Sequence, residues 1–448
     1  MCSNTCKGKF HGDQECLALK KVNEKVKGEI IAENPSIIYP LKCLMLNSYK
    51  PDLFEEILAL ETHLEKRRDT VIWRRHRISV EDVLKKYNLL TEQQIQEEIV
   101  QKICGILDIN SFEVRPPGDV VSSITHPENQ CLRALYTKGA MMAHNCLANT
   151  HISVDDNFIM SVYARVDIND QDLITINYTN VLEGTQERHE HLMEGKYFSC
   201  KCSRCKDPSE LGTEISSLLC HKCRRGFLRH TELEVDFKIW QCSECKVCFK
   251  NFLIDLAIEE ARRRIHDLDP TMGVQALEAL YKTLLLTFHP NHYLMLELKQ
   301  IMINFYSKSP PTKQNLNRKI DLCGSLMSVF SKIEPGISRI RALTMYELQS
   351  AIVDISNKQF KDKDINEEEL IKELQTAEKI LKDSVKFLLY EPKNSPEGRM
   401  AQMALNELKL LRHSIDNIKK EFLVPVTEDN NSKKIKEKLN KKKKNNKK

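Results

Sequence analysis

Apolar residues recur every three to four positions over two long stretches of the chain, residues 29–114 and 251–422. Side chains at this spacing lie on one face of an α-helix, so both stretches are predicted to be mainly helical. We expect their apolar faces to pack as ordinary cores, with the helices of the second stretch stacked antiparallel across short loops. The spacing is clearest over residues 40–46, 53–60, 257–265, 276–285 and 293–301.

One helix start carries a local signal. The Thr91 hydroxyl can accept a hydrogen bond from the backbone of Gln94, and the Gln94 side chain can return one, which is the capping-box arrangement. We therefore predict a helix over residues 91–99.

The pattern changes after Pro116-Pro117-Gly118. Three short segments, residues 151–154, 157–165 and 173–178, are rich in β-branched and aromatic residues and are bounded by Asp and Asn. Such segments are typical of strands joined by turns. The expected fold class is α+β: a β-rich core with a helical insert, metal-binding loops and an all-α, loosely TPR-like C-terminal domain.

The composition is that of a globular protein and excludes a membrane-spanning one. The chain has 448 residues, 41% of them hydrophobic and 29% charged, which is enough for two or three domains. No stretch approaches the roughly 18 apolar residues that a spanning helix needs, and the N-terminus lacks the apolar core of a signal peptide. Sixteen cysteines without such a signal indicate the cytoplasm or the nucleus, where clustered cysteines bind metal more often than they form disulfides.

Positive charge is concentrated at the C-terminal end. The net charge is +5, and the last sixteen residues alone carry ten lysines and one glutamate, so the rest of the chain is net acidic. We expect this Lys-rich tail to be disordered. It could serve as a solvating tail, as a nuclear-import signal or as a weak contact with nucleic acid, whereas the acidic body does not favour a nucleic-acid-binding domain.

A paired cysteine motif predicts a structural zinc site. Cys220 and Cys223 are separated from Cys242 and Cys245 by eighteen residues, and each pair has two residues between its members. Two such turns present four thiolates that complete a tetrahedron around zinc. Cys248 lies close by and is interpreted as a spare thiol.

A second metal site is predicted around three closely spaced cysteines. Cys200, Cys202 and Cys205 fall within six residues, and thiols this close favour a soft cation such as zinc. Three ligands leave a tetrahedral site one short, so a fourth ligand must come from another part of the chain.

Three motifs occur in an order that resembles a known domain. They are His144-Asn-Cys146-x2-Asn149, the segment 172–178 that ends in Tyr178, and Phe198-x-Cys-x-Cys-x2-Cys205. Together they resemble the second half of a SET domain with its post-SET zinc loop. The helical C-terminal half is similar to that of the SET and MYND domain (SMYD) proteins, and the extra cysteine pairs look most like those of the insect members. The resemblance implies that Cys146 is the fourth ligand of the second metal site.

The resemblance also implies an activity. SMYD proteins are, as a family, S-adenosylmethionine-dependent protein-lysine N-methyltransferases, so the expected cofactors are zinc and S-adenosylmethionine. The expected partner is a lysine-bearing protein, with histones as one class of substrate, and the helical C-terminal domain is expected to bind further proteins. Tyr178 matches the family's catalytic tyrosine. The residues that match its cofactor-binding positions are His144, Asn145, Tyr197 and Phe198.

The sequence departs from the family pattern at several positions. Ala143 stands where the family has the Asn of a cofactor-binding Asn-His pair, Asn145 replaces a serine and Ala148 replaces a proline. The family's Gly-x-Gly-type segment does not occur before the first metal motif. We therefore expect an N-terminally truncated member that begins inside a MYND finger, of which four ligands are present: Cys2, Cys6, His11 and Cys16.

These expectations divide the chain into six regions: a partial MYND finger (1–18), the helical SET insert (19–115), the SET core (116–198), the post-SET and four-cysteine zinc region (199–250), the TPR-like domain (251–425) and the Lys-rich tail (426–448). Two other functions stay open. One is a SET-like scaffold with impaired catalysis, which the absent cofactor segment favours. The other, ranked last, is a zinc-dependent nucleic-acid binder, which the basic tail favours.

Overall fold

The structure is a computed structural model that describes residues 34–96, 98–115, 132–230, 239–268 and 273–423. The predicted MYND ligands, the 116–118 breaker and the Lys-rich tail lie outside these residues. The chain forms two compact units. Among the described residues, the first unit comprises residues 34–256 apart from the gaps, together with Thr287–Tyr293 and Lys332–Ile337. The second comprises Ala257–Leu286 apart from its gap, Leu294–Ser331 and residues 338–423.

The N-terminal helices of the first unit pack around one almost fully buried helix. This helix, α7, has Ile103 and Ile106 wholly inaccessible to solvent, and it packs against Leu41, Leu44 and Phe54. A helix that is apolar on nearly every side is stable only inside a core, so α7 anchors this part of the unit. The helices are α1 (Ile38–Tyr49), α2 (Pro51–Leu58), α3 (Leu64–Arg67), α4 (Val71–His76), α5 (Asp82–Lys86), α6 (Glu92–Gln96) and α7 (Ile99–Asn110).

The capping box predicted at Thr91 is present. The Gln94 backbone N donates to Thr91 Oγ1 at 3.2 Å, and the Thr91 backbone N donates to Gln94 Oε1 at 2.9 Å. Two backbone groups at the start of α6 are thereby satisfied, as the sequence indicated. The helix is shorter than predicted: it ends at Gln96, and Glu98 has a left-handed backbone with φ of 50°, after which a new helix begins at Ile99.

Short strands follow the helices and pair in three small sheets. β1 is antiparallel to β2, β4 is antiparallel to β5, and β3 runs parallel to β6, with Ala143 opposite Thr175 and His144 opposite Ile176. Carboxyl ends of parallel strands meet at one edge, so the residues after β3 and β6 are brought together. The strands are β1 (Ser111–Val114), β2 (Leu132–Leu135), β3 (Ala143–His144), β4 (Thr150–Val154), β5 (Met160–Ala164) and β6 (Thr175–Ile176).

The strand predicted over residues 173–178 is much shorter in the structure. Leu173 and Ile174 are 72% and 53% exposed, and only Thr175 and Ile176 pair with β3. Beyond Ile176 the backbone N of Tyr178 donates to a histidine side chain instead of to a neighbouring strand. β-rich composition identified the segment, but the two-residue partner strand limits the pairing.

A four-stranded antiparallel sheet carries the second cysteine motif. Its order is β10-β9-β8-β7. Trp240 on β9 is 2% exposed, and its Nε1 donates to Asn251 Oδ1 at 2.9 Å. Helices α8 (Thr185–Lys196) and α9 (Ser203–Lys206) precede the sheet, whose strands are β7 (Leu218–Leu219), β8 (Phe227–His230), β9 (Ile239–Cys242) and β10 (Cys248–Lys250).

Long helices dominate the rest of the chain, as their periodicity predicted. In the second unit α14, α15 and α16 share a core that includes Ile352, Leu374 and Leu411. Asn366 and Glu369 form a capping box at the start of α15, which fixes where that helix begins. The helices are α10 (Asn251–His266), α11 (Val274–Leu284), α12 (Tyr293–Lys308), α13 (Lys313–Ile333), α14 (Arg339–Lys361), α15 (Glu367–Leu388) and α16 (Pro396–Ile418).

The expected mixed α+β class is thus confirmed, with many helices and several small sheets. Over the described ranges, no helix combines the length and the apolar character needed to cross a lipid bilayer. The six-region division stays a prediction.

Candidate functional site

Four thiols meet at the edge where β3 ends, and we call them the first thiol cluster. Cys146 follows β3, and its Sγ lies 3.9 Å from that of Cys200 and 3.5 Å from that of Cys205. With Cys202, all four sulfur atoms lie within 4.8 Å of one another. Four thiolates around a zinc ion, each about 2.3 Å from it, stand about 3.8 Å apart. The cluster could therefore hold zinc, with the set of ligands that the sequence predicted.

A buried ion network supports the first thiol cluster. Arg188 Nη2 donates to Cys205 Sγ at 3.4 Å, and the Arg188 and Arg204 guanidinium groups contact the Glu210 carboxylate at 2.9 and 2.8 Å. These three ions are at most 2% exposed. Although burial opposes it, the two guanidinium groups lower the pKa of Glu210 to about 2. The network keeps one surplus positive charge, which four metal-bound thiolates would offset.

His144 lies between the first thiol cluster and Tyr178. Its Nδ1 accepts the Tyr178 backbone N–H at 3.0 Å, so the ring proton belongs on Nε2, which lies 3.3 Å from Cys146 Sγ. Burial lowers the pKa of His144 to about 4, which keeps the ring neutral at physiological pH. His144 therefore links Cys146, a predicted metal ligand, to the backbone of Tyr178.

A cavity of about 750 Å³ opens beside Tyr178. The Tyr178 hydroxyl donates to the Met142 carbonyl at 2.5 Å, and burial raises the pKa of Tyr178, so the hydroxyl stays protonated at neutral pH. The ring of Phe198 stands edge-on to Tyr178, with their centroids 6.4 Å apart. Residues from several elements line the cavity: Glu61, His63, Asp108–Glu113, Arg133, Gly139, Ala140, Ile176–Asn180, Glu183, His191, Lys196 and Phe198.

The cavity has features that suit a nucleoside cofactor. Its volume is in the range of small-molecule sites, and Phe198 offers an aromatic face. Glu183 Oε2 is buried there without a hydrogen-bond partner among the described residues. An unsatisfied carboxylate oxygen is costly unless a ligand supplies a donor, such as a ribose hydroxyl or an amino group. The residues present therefore fit S-adenosylmethionine.

Of the four predicted cofactor residues, Phe198 lines the cavity, whereas His144, Asn145 and Tyr197 are not among its lining residues. Phe198 lines the cavity with Tyr178. His144 lies behind them, with its ring centroid 5.2 Å from that of Tyr178 and 5.8 Å from that of Phe198. Asn145 Oδ1 accepts the backbone N–H of Leu147 at 2.9 Å. Tyr197 has a left-handed backbone with φ of 62° and places its ring 5.2 Å from that of His63.

The four cysteines at β7–β10 form a second thiol cluster. Cys220 Sγ lies 3.7 Å from Cys245 Sγ, and Cys223 Sγ lies 3.6 Å from Cys242 Sγ. All four sulfur atoms are within 4.8 Å of one another, so this cluster could also hold zinc. Backbone N–H groups of Arg225 and Gly226 lower the pKa of Cys223 to about 6, which favours the thiolate that a metal requires. The cluster does not include Cys248.

Gly226 is required by the close packing of the second thiol cluster. A Cβ atom added there would stand 2.6 Å from Cys242 Sγ and 2.8 Å from Glu244 Cβ. The Gly226 N–H also donates to Cys223 Sγ at 3.4 Å. Glycine therefore lets the backbone approach two of the four sulfur atoms.

The remaining site predictions have other outcomes. Cys2, Cys6, His11 and Cys16 lie outside the described residues. Several residues that shape the site were not predicted from the sequence: Arg188, Arg204, Glu210, Glu183 and Lys196. The two arginines and Glu210 flank the cysteines within about twenty positions, so a search for charged neighbours of the metal motif could have found them.

Comparison with known proteins found similar proteins, whereas no protein-family model matches this chain. Two isoforms of a Drosophila melanogaster protein, SET domain-containing protein SmydA-8, are similar to it. Isoform B is 22% identical over 361 residues, which cover 78% of this chain and 75% of that protein. Isoform A is 25% identical over 274 residues, which cover 58% of this chain. The match spans only 56% of isoform A.

Shorter matches extend beyond insects. A SET and MYND domain-containing protein of Dictyostelium discoideum is 28% identical over 105 residues, which cover 23% of this chain and 30% of that protein. A protein of the yeast Vanderwaltozyma polyspora, named histone-lysine N-methyltransferase SET5, is 36% identical over 78 residues. That match covers 17% of this chain and 15% of the yeast protein.

Proposed function

The chain is a SMYD-like SET protein, and on this premise we propose that it is an S-adenosylmethionine-dependent protein-lysine N-methyltransferase. The substrate is a lysine side chain of a protein, with histones as one class, in line with the name of the yeast relative. The observation that carries the proposal is the cavity in which a half-buried tyrosine, an aromatic ring and an unsatisfied carboxylate oxygen lie together.

Each residue has a role that its surroundings support. S-adenosylmethionine, when bound, supplies a methyl group on a positively charged sulfur. Tyr178 is protonated and donates to Met142, so it acts by orienting the acceptor amine and not by removing a proton. Phe198 would offer its ring to the adenine, and Glu183 would accept a hydrogen bond from the cofactor. His144, Asn145 and Tyr197 do not line the cavity, so they would act on the cofactor side of the site only by positioning the residues that do.

Zinc has a structural role in this proposal. Both thiol clusters offer four thiols and leave no open coordination position, which is typical of structural zinc. The first cluster would hold in place Phe198, which lies two residues before Cys200, and the second would stabilise β7–β10. The MYND-like ligands would form a further zinc site, the second unit would bind partner proteins, and the protein would act in the cytoplasm, the nucleus or both.

The proposal is tested by calorimetric titration of S-adenosylmethionine into the zinc-loaded chain, followed by transfer of labelled methyl groups to core histones. We expect saturable binding and transfer. Tyr178→Phe should lower transfer by roughly 100-fold, because one positioned hydroxyl is lost, while binding of the cofactor stays nearly unchanged. Tyr163→Phe, on β5 and away from the cavity, is the matched control and should transfer normally.

Two results would contradict the proposal. Full turnover by Tyr178→Phe would mean that this tyrosine is only structural. A chain that binds no S-adenosylmethionine would instead be a SET-like scaffold, an outcome that Ala143 also favours because its side chain offers no polar atom to a cofactor.

A further inference from the structure

The last residue of α8 extends a lysine into the cavity beside Tyr178. Lys196 Nζ donates a hydrogen bond to the Ile109 carbonyl oxygen at the end of α7. It also lies 5.5 Å from the centroid of the Tyr178 ring. Both Lys196 and Tyr178 line the same cavity.

This lysine is held by neutral groups. Among the described residues, no carboxylate forms an ion pair with Lys196. The nearby Asp108 is engaged by Arg67, whose Nη2 stands 2.7 Å from Asp108 Oδ2. Burial and, to a smaller extent, the charge of Arg133 lower the pKa of the Lys196 amine, and they outweigh the charge of Asp108, which raises it. A larger share of the amine is therefore in the uncharged form, whose lone pair can act as a nucleophile.

A carbonyl oxygen and an aromatic ring are also the groups that the proposed reaction would use to hold a substrate amine. The carbonyl oxygen and the ring hold and orient the amine nitrogen without a carboxylate, so no ion pair keeps the amine charged. Lys196 thus already occupies, within the chain, a position suited to an acceptor amine. No other lysine lines this cavity in the part of the chain that the structure describes.

We propose that Lys196 is a self-methylation site of this protein, an inference that rests on the proposed function. The uncharged Nζ forms a bond to the methyl carbon of S-adenosylmethionine. The carbon–sulfur bond breaks and its electron pair stays on sulfur, which leaves S-adenosylhomocysteine. The methylated ammonium then releases one proton to water.

The test uses the full, zinc-loaded chain and S-adenosylmethionine alone. Cleavage after glutamate releases residues 195–210, a peptide that carries Lys196 together with Lys201 and Lys206. Fragment-ion mass spectrometry of this peptide shows which lysine gains a methyl group. Lys201 and Lys206 are exposed, so they serve as internal controls for non-enzymatic methylation.

The expected result is methylation of Lys196 alone, lost in Tyr178→Phe and absent from Lys196→Arg, which keeps the charge but removes the acceptor. Equal labelling of Lys201 and Lys206 would overturn the inference. Bound S-adenosylmethionine with an unmodified Lys196 would overturn it too, and would leave the proposed function standing. A chain that binds no S-adenosylmethionine in calorimetry would overturn the proposed function first, and this inference with it.

Discussion

Two buried guanidinium groups share one buried carboxylate next to the first thiol cluster. Arg188 and Arg204 are both 0% exposed, and Glu210 accepts from both of them. The Ser216 hydroxyl and the Thr185 backbone N–H also donate to Glu210. Each buried charge therefore has an oppositely charged, hydrogen-bonded partner, which is the condition under which such ions are tolerated, although Arg188 Nε has no partner among the described residues.

Glu210→Gln should strongly destabilise the first unit. The substitution keeps the shape of the side chain but leaves two buried cations without their anion, and breaking a buried ion pair typically costs about 3–5 kcal/mol. Chemical denaturation followed by near-ultraviolet circular dichroism measures the change. Glu65→Gln is the matched control, because Glu65 pairs with Arg68 at an exposed position and its loss should not change the midpoint. An equal effect of the two substitutions would contradict this account.

At the scale of elements, the parallel pairing of β3 with β6 brings the site together. The two strands have only two residues each, yet they align so that Cys146 and Tyr178 follow at the same edge. The His144 side chain then bridges the edge through Tyr178 N and Cys146 Sγ. Two short strands thus connect a metal ligand with the candidate methyl-transfer residue.

Cys146→Ser should remove one zinc equivalent per chain relative to the wild type. The other three cysteines of the first thiol cluster cannot complete a tetrahedral site without it. Native mass spectrometry measures the metal content. Cys248→Ser, which changes an exposed thiol outside both clusters, should leave the content unchanged. Equal zinc in Cys146→Ser and wild type would exclude Cys146 as a ligand.

Local patterns predicted the elements better than the contacts between them. Three predictions depend on residues close in sequence: the Thr91 cap, the cysteine spacings and the helical periodicity. Each can therefore be recognised from a short stretch of the sequence. The contact between Lys196 and Ile109 joins residues 87 positions apart, and no local pattern encodes it. The predicted length of the strand around Ile176 was also wrong, because its partner β3 has only two residues and limits the pairing.

At the scale of the whole molecule, the two candidate zinc sites and the core of the long C-terminal helices belong to different units. Both thiol clusters belong to the first unit, whereas the core of α14–α16 belongs to the second and is built from aliphatic side chains. Stability from zinc at the thiol clusters and stability from the packing of α14–α16 would therefore lie in different parts of the chain.

Chelation of zinc should unfold the site and spare the second unit. Structural zinc contributes on the order of 10 kcal/mol to small domains, so β7–β10 should lose protection when the metal is removed. Hydrogen exchange read by mass spectrometry resolves the two regions. We expect fast exchange in β8 and β9 and unchanged protection in α15. Loss of protection in α15 to the same extent would show that the units depend on one another.

The positions of the two tryptophans allow the protein's own fluorescence to report on the first unit. The chain has two, Trp73 and Trp240, and both fall in the first unit. Trp240 lies two residues before Cys242 and is buried. Tryptophan fluorescence therefore reports on the first unit, which carries both thiol clusters, and a shift of its emission to longer wavelength would signal exposure of a buried tryptophan to water without any dye or label.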